Sequence, residues 1–485
     1  MKRYAWMKWL AAGMVLAVMA CGGSIALAQV DKPDEGGRAS LWADVDDFMT
    51  KCKRPCEWLC FGGDIRLREI FSPNLLLDQE DRHFQRYRFR LWSKITPVKD
   101  VEVNVRLVWE PRHYCEPDRV LRARDASVIN SWTGSEAIFD HMNLKWSNVL
   151  GLPLTVTVGR QDIILGNGWL VLDGTPLDGS RTIFFDAARA TIDLKDINTK
   201  VDLIGIRQKS DSDYWLKPFC DKDFHNMEQD EAGAIIYVSN TSLPNTQIDG
   251  YFIYKHDDQD LGSQPGDVGA GALAPWQTGA TGDIYTIGGR VAGTIDQDGR
   301  WKYRVEGAHQ FGHKNGRQLC AFGFNSQIRY FFKDKWNNNL RAGYEYLSGD
   351  KQSSRGRDEQ FDPLWGRWPQ FSELYVYPVA LENRPGETTN FHRLGFGWSC
   401  KPHEKLDLAA DYHLLWADRH PARNNAFFTN NGAFRGQLLT GVLKYKFNPH
   451  ISGHLLAEVF MPGNFYDKAR NEVAGFFRYE LTFTW

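Results

Sequence analysis

The amino-acid sequence predicts an all-β protein: a transmembrane antiparallel β-barrel of about 18 strands, with short periplasmic turns and long extracellular loops. The first observation is an alternation of apolar and polar residues in segments of about ten residues, the length that a tilted strand needs to cross a bilayer. The second is that the joints between these segments are alternately short and long. The third is composition, with 13% aromatic residues and 44 glycines in a chain whose residues are 24% charged. Aromatic belts, many turns and a polar lumen account for that combination.

The first 28 residues have the features of a secretory signal peptide. Three basic residues among the first eight precede an apolar run over residues 9–20, and the small-x-small tripeptide ending at Ala28 predicts cleavage after that residue. Two alternatives use the same stretch. One is a membrane anchor, for which the run is short against the roughly 20 residues of a spanning helix; the other is lipid attachment at Cys21. A signal peptide directs the chain to the bacterial envelope.

Residues 29–61 show no alternation, and we predict a periplasmic N-terminal segment here, followed by the barrel over residues 62–485. Three cysteines, Cys52, Cys56 and Cys60, fall in this segment. In an oxidising compartment we expect one disulfide among them; a free thiol, an external partner and a metal site are the alternatives. The spacing is not a zinc pattern and no adjacent histidine completes it, so no metal is predicted.

About 18 alternating segments follow in order. In "VEVNVRLVWE" the apolar residues from Val101 to Trp109 share one face, and in "WKYRVEGAHQF" the charged residues Lys302, Arg304 and Glu306 oppose an apolar face. Segments 199–208 and 319–332 are ambiguous by pattern alone. The predicted strands begin near Asp64, Phe84, Val101, Ala137, Pro153, Arg181, Thr199, Ala232, Thr246, Asp283, Arg300, Leu319, Asn338, Asn390, Lys405, Arg435, Ile451 and Glu472.

The joints between segments carry a stronger signal than any strand. After every second segment the joint is short, as in "TPVKD", "KDIN" and "NPH", whereas the others are mostly long and polar, such as 111–136, 209–231 and 349–389. A membrane barrel alternates tight periplasmic turns with extracellular loops, and a soluble β-sandwich gives no reason to do so. No repeat of about 20–50 residues is visible, which argues against a propeller. The predicted location is the bacterial outer membrane, with its lipid around the wall.

The final segment predicts how the barrel closes. In "EVAGFFRYELTFTW" one face is apolar and aromatic through to Phe483 and Trp485, while the other carries Arg478, Glu480 and hydroxyl groups. We expect this strand to pair with the first, because closure removes both strand edges and leaves the apolar face against lipid. An aromatic residue ending such a strand also resembles the signal read by outer-membrane assembly machinery, which makes Phe483 and Trp485 the predicted contact with that machinery.

Residues 154–192 read "LTVTVGRQDIILGNGWLVLDGTPLDGSRTIFFDAARATI" and carry a more specific pattern. A strand ends in Gly-Arg-Gln, a glycine-containing loop follows, and the next strand opens with Arg, then Phe-Asp, then a later Arg. This stretch resembles the alginate-export porin family of outer-membrane barrels, and "AIFDHMNLKW" looks like the family's preceding strand. Ala187 departs from the family pattern, which has glycine after Phe-Asp. The matching positions are Gly159, Arg160, Gln161, Gly166, Arg181, Phe185, Asp186 and Arg189.

The resemblance implies a barrel that exports an anionic, alginate-like exopolysaccharide through an arginine-lined lumen. Rings of arginine select anions, and the guanidinium group matches a uronate carboxylate bidentately. The partners implied are the anionic polysaccharide and periplasmic export proteins, and we expect the barrel to be a monomer. The predicted lumen arginines are Arg66, Arg68, Arg86, Arg88, Arg90, Arg106, Arg160, Arg181, Arg189, Arg393 and Arg478.

Structural alternatives exist for these arginines. Any porin wall carries Arg–Glu ladders between neighbouring strands to satisfy a polar lumen. The early cluster on the first two strands nevertheless favours anion conduction, because so many positive positions share one phase. For Arg160 the alternative to substrate contact is a latch to Asp186 across adjacent strands, with Gln161 fixing the start of the loop.

Two rival functions use the same features. One is a general or anion-selective nutrient porin for small solutes, whose lumen would look similar. The other is an outer-membrane enzyme, which needs a nucleophile with a base or two placed carboxylates. The acidic run "HDDQD" at 256–260 lacks a defined Ca²⁺-ligand spacing. We expect neither an enzyme nor a cofactor, and the net charge of −2 gives no sign of a nucleic-acid partner. The histidines weighed for catalysis, His309, His313, His413 and His454, lie on separate segments without a motif.

Overall fold

A computed structural model of the chain describes residues 52–117, 120–121, 128–129, 131–134, 137–172, 184–209, 215–217, 219, 229–259, 280–351, 356–366, 369–380, 382, 388–420, 427–429 and 432–485. The predicted signal peptide, most of the predicted N-terminal segment and Arg181 lie outside these residues. No helix in the described ranges is both long enough and apolar enough to cross a bilayer.

Eighteen long strands form the wall. Their sequences alternate β-branched or aromatic residues with polar ones, so that the two faces of each strand suit two different solvents. The strands are β1 (Leu59–Pro73), β2 (Asp81–Val98), β3 (Val101–Trp109), β4 (Ala137–Trp146), β5 (Leu154–Gln161), β6 (Phe185–Leu194), β7 (Thr199–Gln208), β8 (Gln229–Asn240), β9 (Thr246–Gln259), β10 (Gly282–Thr294), β11 (Trp301–Lys314), β12 (Arg317–Phe331), β13 (Asn339–Leu347), β14 (Phe391–His403), β15 (Leu406–Ala417), β16 (Phe434–Lys446), β17 (Ile451–Pro462) and β18 (Ala474–Thr484).

Short elements occupy the connections. Two of the tight turns contain a single 3₁₀ turn flanked by an asparagine in the left-handed region, Asn148 at φ 51° and Asn198 at φ 48°. Asparagine tolerates that conformation better than most residues, which suits it to these tight turns. The short elements are the strands Arg112–Glu116, Val120–Leu121, Val128–Ile129, Trp132–Thr133 and Arg357–Asp358, the 3₁₀ helices Val149–Gly151, Lys195–Ile197 and Lys468–Arg470, and the helix α1 (Val376–Ala380).

The wall is a closed antiparallel barrel, as the sequence predicts. Each long strand pairs with the next, and β18 pairs with β1, where Glu480 lies opposite Arg68. Backbone hydrogen bonds of 3.1 and 3.3 Å between Trp485 and Gly63 complete the seam. A glycine is required at that position, because a Cβ on Gly63 would lie 2.3 Å from the Trp485 indole. Closure leaves no strand edge in contact with lipid.

Details at the N-terminal end differ from the predictions. β1 begins at Leu59, so residues 59–61, which the sequence placed before the barrel, belong to the first strand. The expected disulfide among Cys52, Cys56 and Cys60 is wrong, since all three thiols are free. Cys60 is held in β1 opposite Lys94.

The two faces of the wall are chemically distinct. Leu91, Ile287, Phe322 and Leu455 are 54–57% exposed and share one phase of their strands. Apolar exposure on this scale marks the lipid-facing side. The opposite phase carries buried charged side chains, among them Arg66 and Glu345. This second phase is the inner face of the barrel.

Two connections fold inward against that inner face. Residues 162–172 follow β5, and the described residues of 356–382 come from the long joint between β13 and β14; together we call them the insert. Trp169 stacks on Phe361 with ring centroids 5.7 Å apart, which joins the two connections. The joint 349–389 was predicted to be an extracellular loop, so its inward packing is a correction. Its apolar residues require a buried surface, and the inner wall supplies one.

The apolar core of the molecule lies between the insert and the wall, and it is lopsided. β1 and every strand from β6 to β18 contribute buried apolar residues to it. Among the described residues β3, β4 and β5 contribute none. The inner face around β2–β5 is instead dominated by charged groups.

Candidate functional site

The arginines of β2 lie on the inner face. Arg86, Arg88 and Arg90 alternate along the strand in the phase opposite to the exposed Leu91. Arg88 and Arg90 both bind the buried carboxylate of Asp64 on β1, at 2.9 and 2.6 Å. One carboxylate thus serves two guanidinium groups, and it holds their side chains in a fixed row along the wall.

Arg66 and Arg68 on β1 stand beside this row. Arg66 and Arg86 share Glu110, just beyond the end of β3, and Arg68 binds Glu480 on β18 at 2.6 Å. These five inner-face guanidinium groups of β1 and β2 thus form ion pairs with the carboxylates of Asp64, Glu110 and Glu480. The Arg–Glu ladder weighed from the sequence is present, and so is the dense run of positive positions.

Arg106 on β3 belongs to a second network on the inner face. Its guanidinium group binds Asp140 at 2.7 Å and Asp162 at 3.2 Å, and His141 Nε2 lies 2.6 Å from Asp162. An irregularity in the β3–β4 register brings Asp140 and His141 into this network together. Burial raises the pKa of the Asp162 carboxyl, but the hydrogen bond from His141 and the charge of Arg106 outweigh it and hold that pKa below its ordinary value.

Three further predicted lumen arginines that the structure describes, Arg189, Arg393 and Arg478, are also paired. Arg189 binds Asp202 through two hydrogen bonds of 2.8 and 3.0 Å, and Arg393 binds Glu345 at 2.8 Å. Arg478 lies 3.1 Å from Glu373 of the insert. These side chains therefore contribute to the wall and to the seating of the insert.

The Gly-Arg-Gln stretch shapes the place where the chain leaves the wall. Gly159 has φ +117°, and a Cβ there would lie 2.3 Å from the carbonyl oxygen of Met142, so only glycine fits. Gln161 donates from Nε2 to the carbonyls of Gly159 and Ala187, at 3.1 and 3.0 Å, which ties the end of β5 to β6. The next residue, Asp162, begins the insert.

Arg160 is enclosed within the wall. In the strand register it lies in the phase of Val158, which is 51% exposed, and not in the phase of the inner-face residue Thr157. Its guanidinium group makes two hydrogen bonds to Asp186, at 2.8 and 3.0 Å, and stacks 3.8 Å from the Phe184 ring. A third hydrogen bond of 2.9 Å reaches the Phe139 carbonyl, and Arg160 is 4% exposed. This geometry is that of the latch.

The other described motif residues support the insert. Gly166 has φ +57°, and a Cβ there would lie 3.0 Å from the Tyr237 hydroxyl and 3.3 Å from Arg290 Nε, so the loop approaches the wall closely. Phe185 is buried and meets Trp365 of the insert edge-on at 6.2 Å. Glycine is favoured at Gly166 both by its backbone conformation and by this close approach.

Wall carboxylates and amides fasten the insert. Trp169 and Trp365 donate their indole N–H groups to Glu345 and Glu231, each at 2.9 Å. Glu458 on β17 accepts hydrogen bonds from the Ser372 hydroxyl and from the backbone N–H groups of Glu373 and Leu374. The insert is therefore held by specific polar bonds as well as by apolar packing.

A family model described as alginate export matches residues 57–479 of this chain. The chain belongs to the alginate-export family. The match covers the whole wall except the last residues of β18. No curated protein matches the sequence.

Three of the solved structures similar to this member of the alginate-export family come from Pseudomonas aeruginosa. OpdQ has a TM-score of 0.54 at 10% identity, covering 88% of this chain and 97% of its own. OpdO has a TM-score of 0.52 at 10% identity, with coverages of 88% and 97%. The outer membrane protein opdK has a TM-score of 0.50 at 10% identity, with coverages of 88% and 98%. At such low identity the likeness shows the fold, an outer-membrane barrel. Family and fold are those of a membrane channel.

In this alginate-export protein, a second basic group on the inner face was missed as a site. Lys302 and Arg304 alternate on β11; Arg329 on β12 lies opposite Lys302 and opposite Arg341 on β13. Arg341 binds Asp411 at 2.5 Å. In the described part of the chain, no carboxylate lies within ion-pair distance of Lys302, Arg304 or Arg329. We call these four residues the basic patch.

A signal for the basic patch was present in the sequence. Lys302 and Arg304 were recognised as the polar face of their strand, but not as a site. Arg329 fell in the segment 319–332, whose alternation is ambiguous because the apolar Leu319, Ala321 and Phe331 share the phase of the polar Asn325 and Gln327. Only the register between β11, β12 and β13 shows that the four positive charges are neighbours.

The histidines weighed for catalysis do not converge. His309 and His313 lie in the outer-face phase of β11, where Phe311 between them is 41% exposed. His413 and His454 lie in the inner-face phase, on β15 and β17. His413 is 4% exposed and stands 3.4 Å from Arg393. In the described residues, these four do not form one constellation.

Proposed function

We propose that this protein is an outer-membrane channel that exports an anionic, alginate-like exopolysaccharide, and that cations of the inner wall guide the carboxylates of the polymer. Membership of the alginate-export family supports the export of such a polymer. The observation that carries the proposal is the basic patch, because Arg304 and Arg329 form no ion pair with the wall among the described residues.

A uronate carboxylate gains electrostatic interaction energy beside the basic patch. At about 4 Å, a pair of unit charges is worth about 1 kcal/mol in water and about 4 kcal/mol at an effective dielectric constant near 20. Arg304 is half-buried on the inner face and forms no ion pair in the described part of the chain, so a carboxylate of the polymer would supply the partner that the wall does not. Positions two residues apart on a strand are about 7 Å apart, a spacing comparable to a sugar unit.

The shape of the core supports a route along one side of the lumen. The apolar core that includes the insert draws on β1 and β6–β18, whereas β2–β5 present Arg86, Arg88, Arg90 and Arg106 with their carboxylate partners. A polyanion would be drawn to the patch and would then pass a surface where positive charge is partly balanced. Partial balance limits how tightly the chain binds, which conduction requires.

Planar-bilayer recording with added oligouronates tests the proposal. In the wild-type channel we expect anion selectivity and a current block by oligouronates. Replacing both Arg304 and Arg329 by Glu should abolish the block and reduce polymer secretion, because the patch changes sign. Arg207→Glu is the matched control, since Arg207 lies in the outer-face phase of β7.

The outcome that contradicts the proposal is equally specific. If the double variant assembles, keeps anion selectivity and still secretes polymer, the basic patch is only part of the wall. If small sugar acids pass readily while oligouronates neither block nor cross, the nutrient-porin alternative holds.

A further inference from the structure

Polar clusters stand on the outer face of the barrel, at the strand ends that lead into the long connections. Each combines a histidine, a carboxylate and a tyrosine on neighbouring strands. Three such clusters occur among the described residues, and we call them together the outer belt. Its members are Glu69, His83 and Tyr479; Tyr254, His256 and Asp283; and Tyr344, His392 and Asp418.

The first cluster joins β18, β1 and β2. His83 Nε2 is hydrogen-bonded to Glu69, and the Tyr479 hydroxyl donates to the same carboxylate at 3.2 Å. Gln85 donates to Glu69 at 3.0 Å. The outer phase is clear, because Tyr479 is 50% exposed and β1 places Glu69 between Leu67 and Phe71.

Beside the first cluster stands an aromatic stack. Trp132 is 54% exposed and packs face to face with His113 and Tyr87, with ring centroids 4.5 and 5.9 Å apart. Such a stack offers flat apolar faces directly next to hydrogen-bonding groups.

The second cluster repeats the arrangement on β9 and β10. The Tyr254 hydroxyl donates to Asp283 at 2.7 Å, and His256 Nδ1 lies 2.9 Å from the same oxygen. His313 on β11 lies opposite Asp283 in the register. The side chains of His256 and Asp283 are 43% and 48% exposed, so the pair is accessible from outside.

The third cluster lies at the ends of β13 and β14. The Tyr344 hydroxyl and His392 Nδ1 are 2.7 Å apart, and His392 Nε2 lies 3.6 Å from Asp418. The Tyr346 ring stacks on His392 at 4.7 Å. The same three residue types therefore meet at three separate places around the wall.

The height of the outer belt follows from solvation. A carboxylate cannot face hydrocarbon without a large penalty, so Glu69 and Asp283 must stand above the lipid tails. Tyr254 of the second cluster stacks on Tyr285 at 5.1 Å, and Tyr285 stacks on Phe311 at 5.5 Å, so an aromatic row like an interfacial belt adjoins the cluster on its membrane side. The outer belt thus lies level with the headgroups of the surrounding leaflet.

We propose that the outer belt is a docking surface for the sugar headgroups of outer-leaflet glycolipids. Sugars present paired hydroxyls and apolar C–H faces, which match a carboxylate beside a histidine N–H and the adjacent aromatic rings. Within a cluster, a protonated histidine at most neutralises its carboxylate, so the surface does not favour a bare phosphate. The occupant is lipid rather than the exported polymer, because the belt continues the lipid-facing phase and turns away from the lumen.

Lipid retention tests this docking surface. The full barrel is reconstituted in vesicles containing equal amounts of lipopolysaccharide and phosphatidylglycerol, and the lipids retained on the purified protein are counted by native mass spectrometry. We expect the wild type to retain lipopolysaccharide preferentially. The variant carrying Glu69→Gln and Asp283→Asn should retain at most roughly one third as much lipopolysaccharide as the wild type. The reason is that neutral amides accept weaker hydrogen bonds than carboxylates do.

The control and the refuting results are defined by position. Asp196→Asn makes the same chemical change in the β6–β7 turn at the opposite end of the barrel, and it should leave retention unchanged. Equal retention by the belt variant and the wild type would overturn the proposal, and so would equal retention of phosphatidylglycerol. Displacement of the lipid by soluble oligouronates would also overturn it, since the surface would then belong to the polymer. A heat-modifiable gel shift confirms that each variant is folded before lipids are counted.

Discussion

Removing the guanidinium group of Arg160 should destabilise the barrel without changing its ion selectivity. Replacement by alanine would delete both hydrogen bonds to Asp186, the one to the Phe139 carbonyl and the stacking on Phe184. The Asp186 side chain, 13% exposed, would then lack its Arg160 partner. Removing one partner of a buried ion pair lowers the free energy of unfolding by about 3–5 kcal/mol, because the other charge stays buried without a partner. The unfolding equilibrium should therefore shift by a factor between about 10² and about 4 × 10³.

Urea unfolding in detergent micelles or vesicles, followed by the heat-modifiable gel shift, measures this change. The double variant Arg160→Met with Asp186→Leu is the internal control, because it removes both charges and should recover most of the lost stability. Single-channel recording of each variant measures the ion preference, which should match that of the wild type.

The latch role of Arg160 would be refuted if its removal changed ion selectivity and left stability unchanged. If Arg160→Ala unfolds at the wild-type urea concentration but loses anion selectivity or oligouronate block, Arg160 contacts the substrate and the latch is wrong. A double variant as unstable as the single one would show that packing against Phe184, not the ion pair, carries the stabilisation.

The seam and the insert give two further expectations. Gly63→Leu should lower the yield of heat-modifiable barrel, because its side chain would overlap the Trp485 indole. Gly205→Leu is the control and should assemble normally, since a Cβ at Gly205 would have no atom within 4 Å. Equal yields of the two variants would contradict the fit at the seam. Glu458→Leu removes the acceptor for three hydrogen bonds from the insert, so the single-channel current should become larger or noisier. Glu458→Gln should give an intermediate current. A quiet, unchanged current in Glu458→Leu would show that apolar packing alone holds the insert in place.

The wall could be predicted from the sequence because its cause is local. A strand between lipid and a polar lumen must alternate, and each segment shows this without reference to the others. Arg86, Arg88 and Arg90 were placed on the inner face by spacing alone. Their partners were not predictable in the same way: Glu110 lies beyond β3 and Glu480 on β18, so the pairing depends on register and closure.

The insert and the latch illustrate what alternation does not report. The joint 349–389 was predicted as an extracellular loop from its length and polarity, although Phe361, Leu364 and Trp365 within it are apolar and end up buried. Arg160 was predicted to line the lumen because it matches the family motif. In the strand register it lies in the opposite phase from the inner-face residues. Both outcomes depend on contacts between residues far apart in the sequence, which the periodicity of single segments does not predict.

The family motif now has a physical interpretation that separates architecture from substrate. Gly159 permits the tight approach of β5 to β4, Arg160 and Gln161 tie β5 to β6, and Gly166 lets the loop lie against the inner wall. These residues build the place where the chain turns from the wall into the lumen. A chain that shares the motif should therefore share the insert, whatever it transports.

Substrate preference must then depend on inner-face charges that the motif does not specify. Arg304 and Arg329 are such positions here, since the wall leaves them without carboxylate partners in the described residues. A relative with the same motif but acidic residues at both positions should form the same barrel and reject a polyuronate. The basic patch, more than the motif, thus supports an anionic polymer as the substrate of this member of the family.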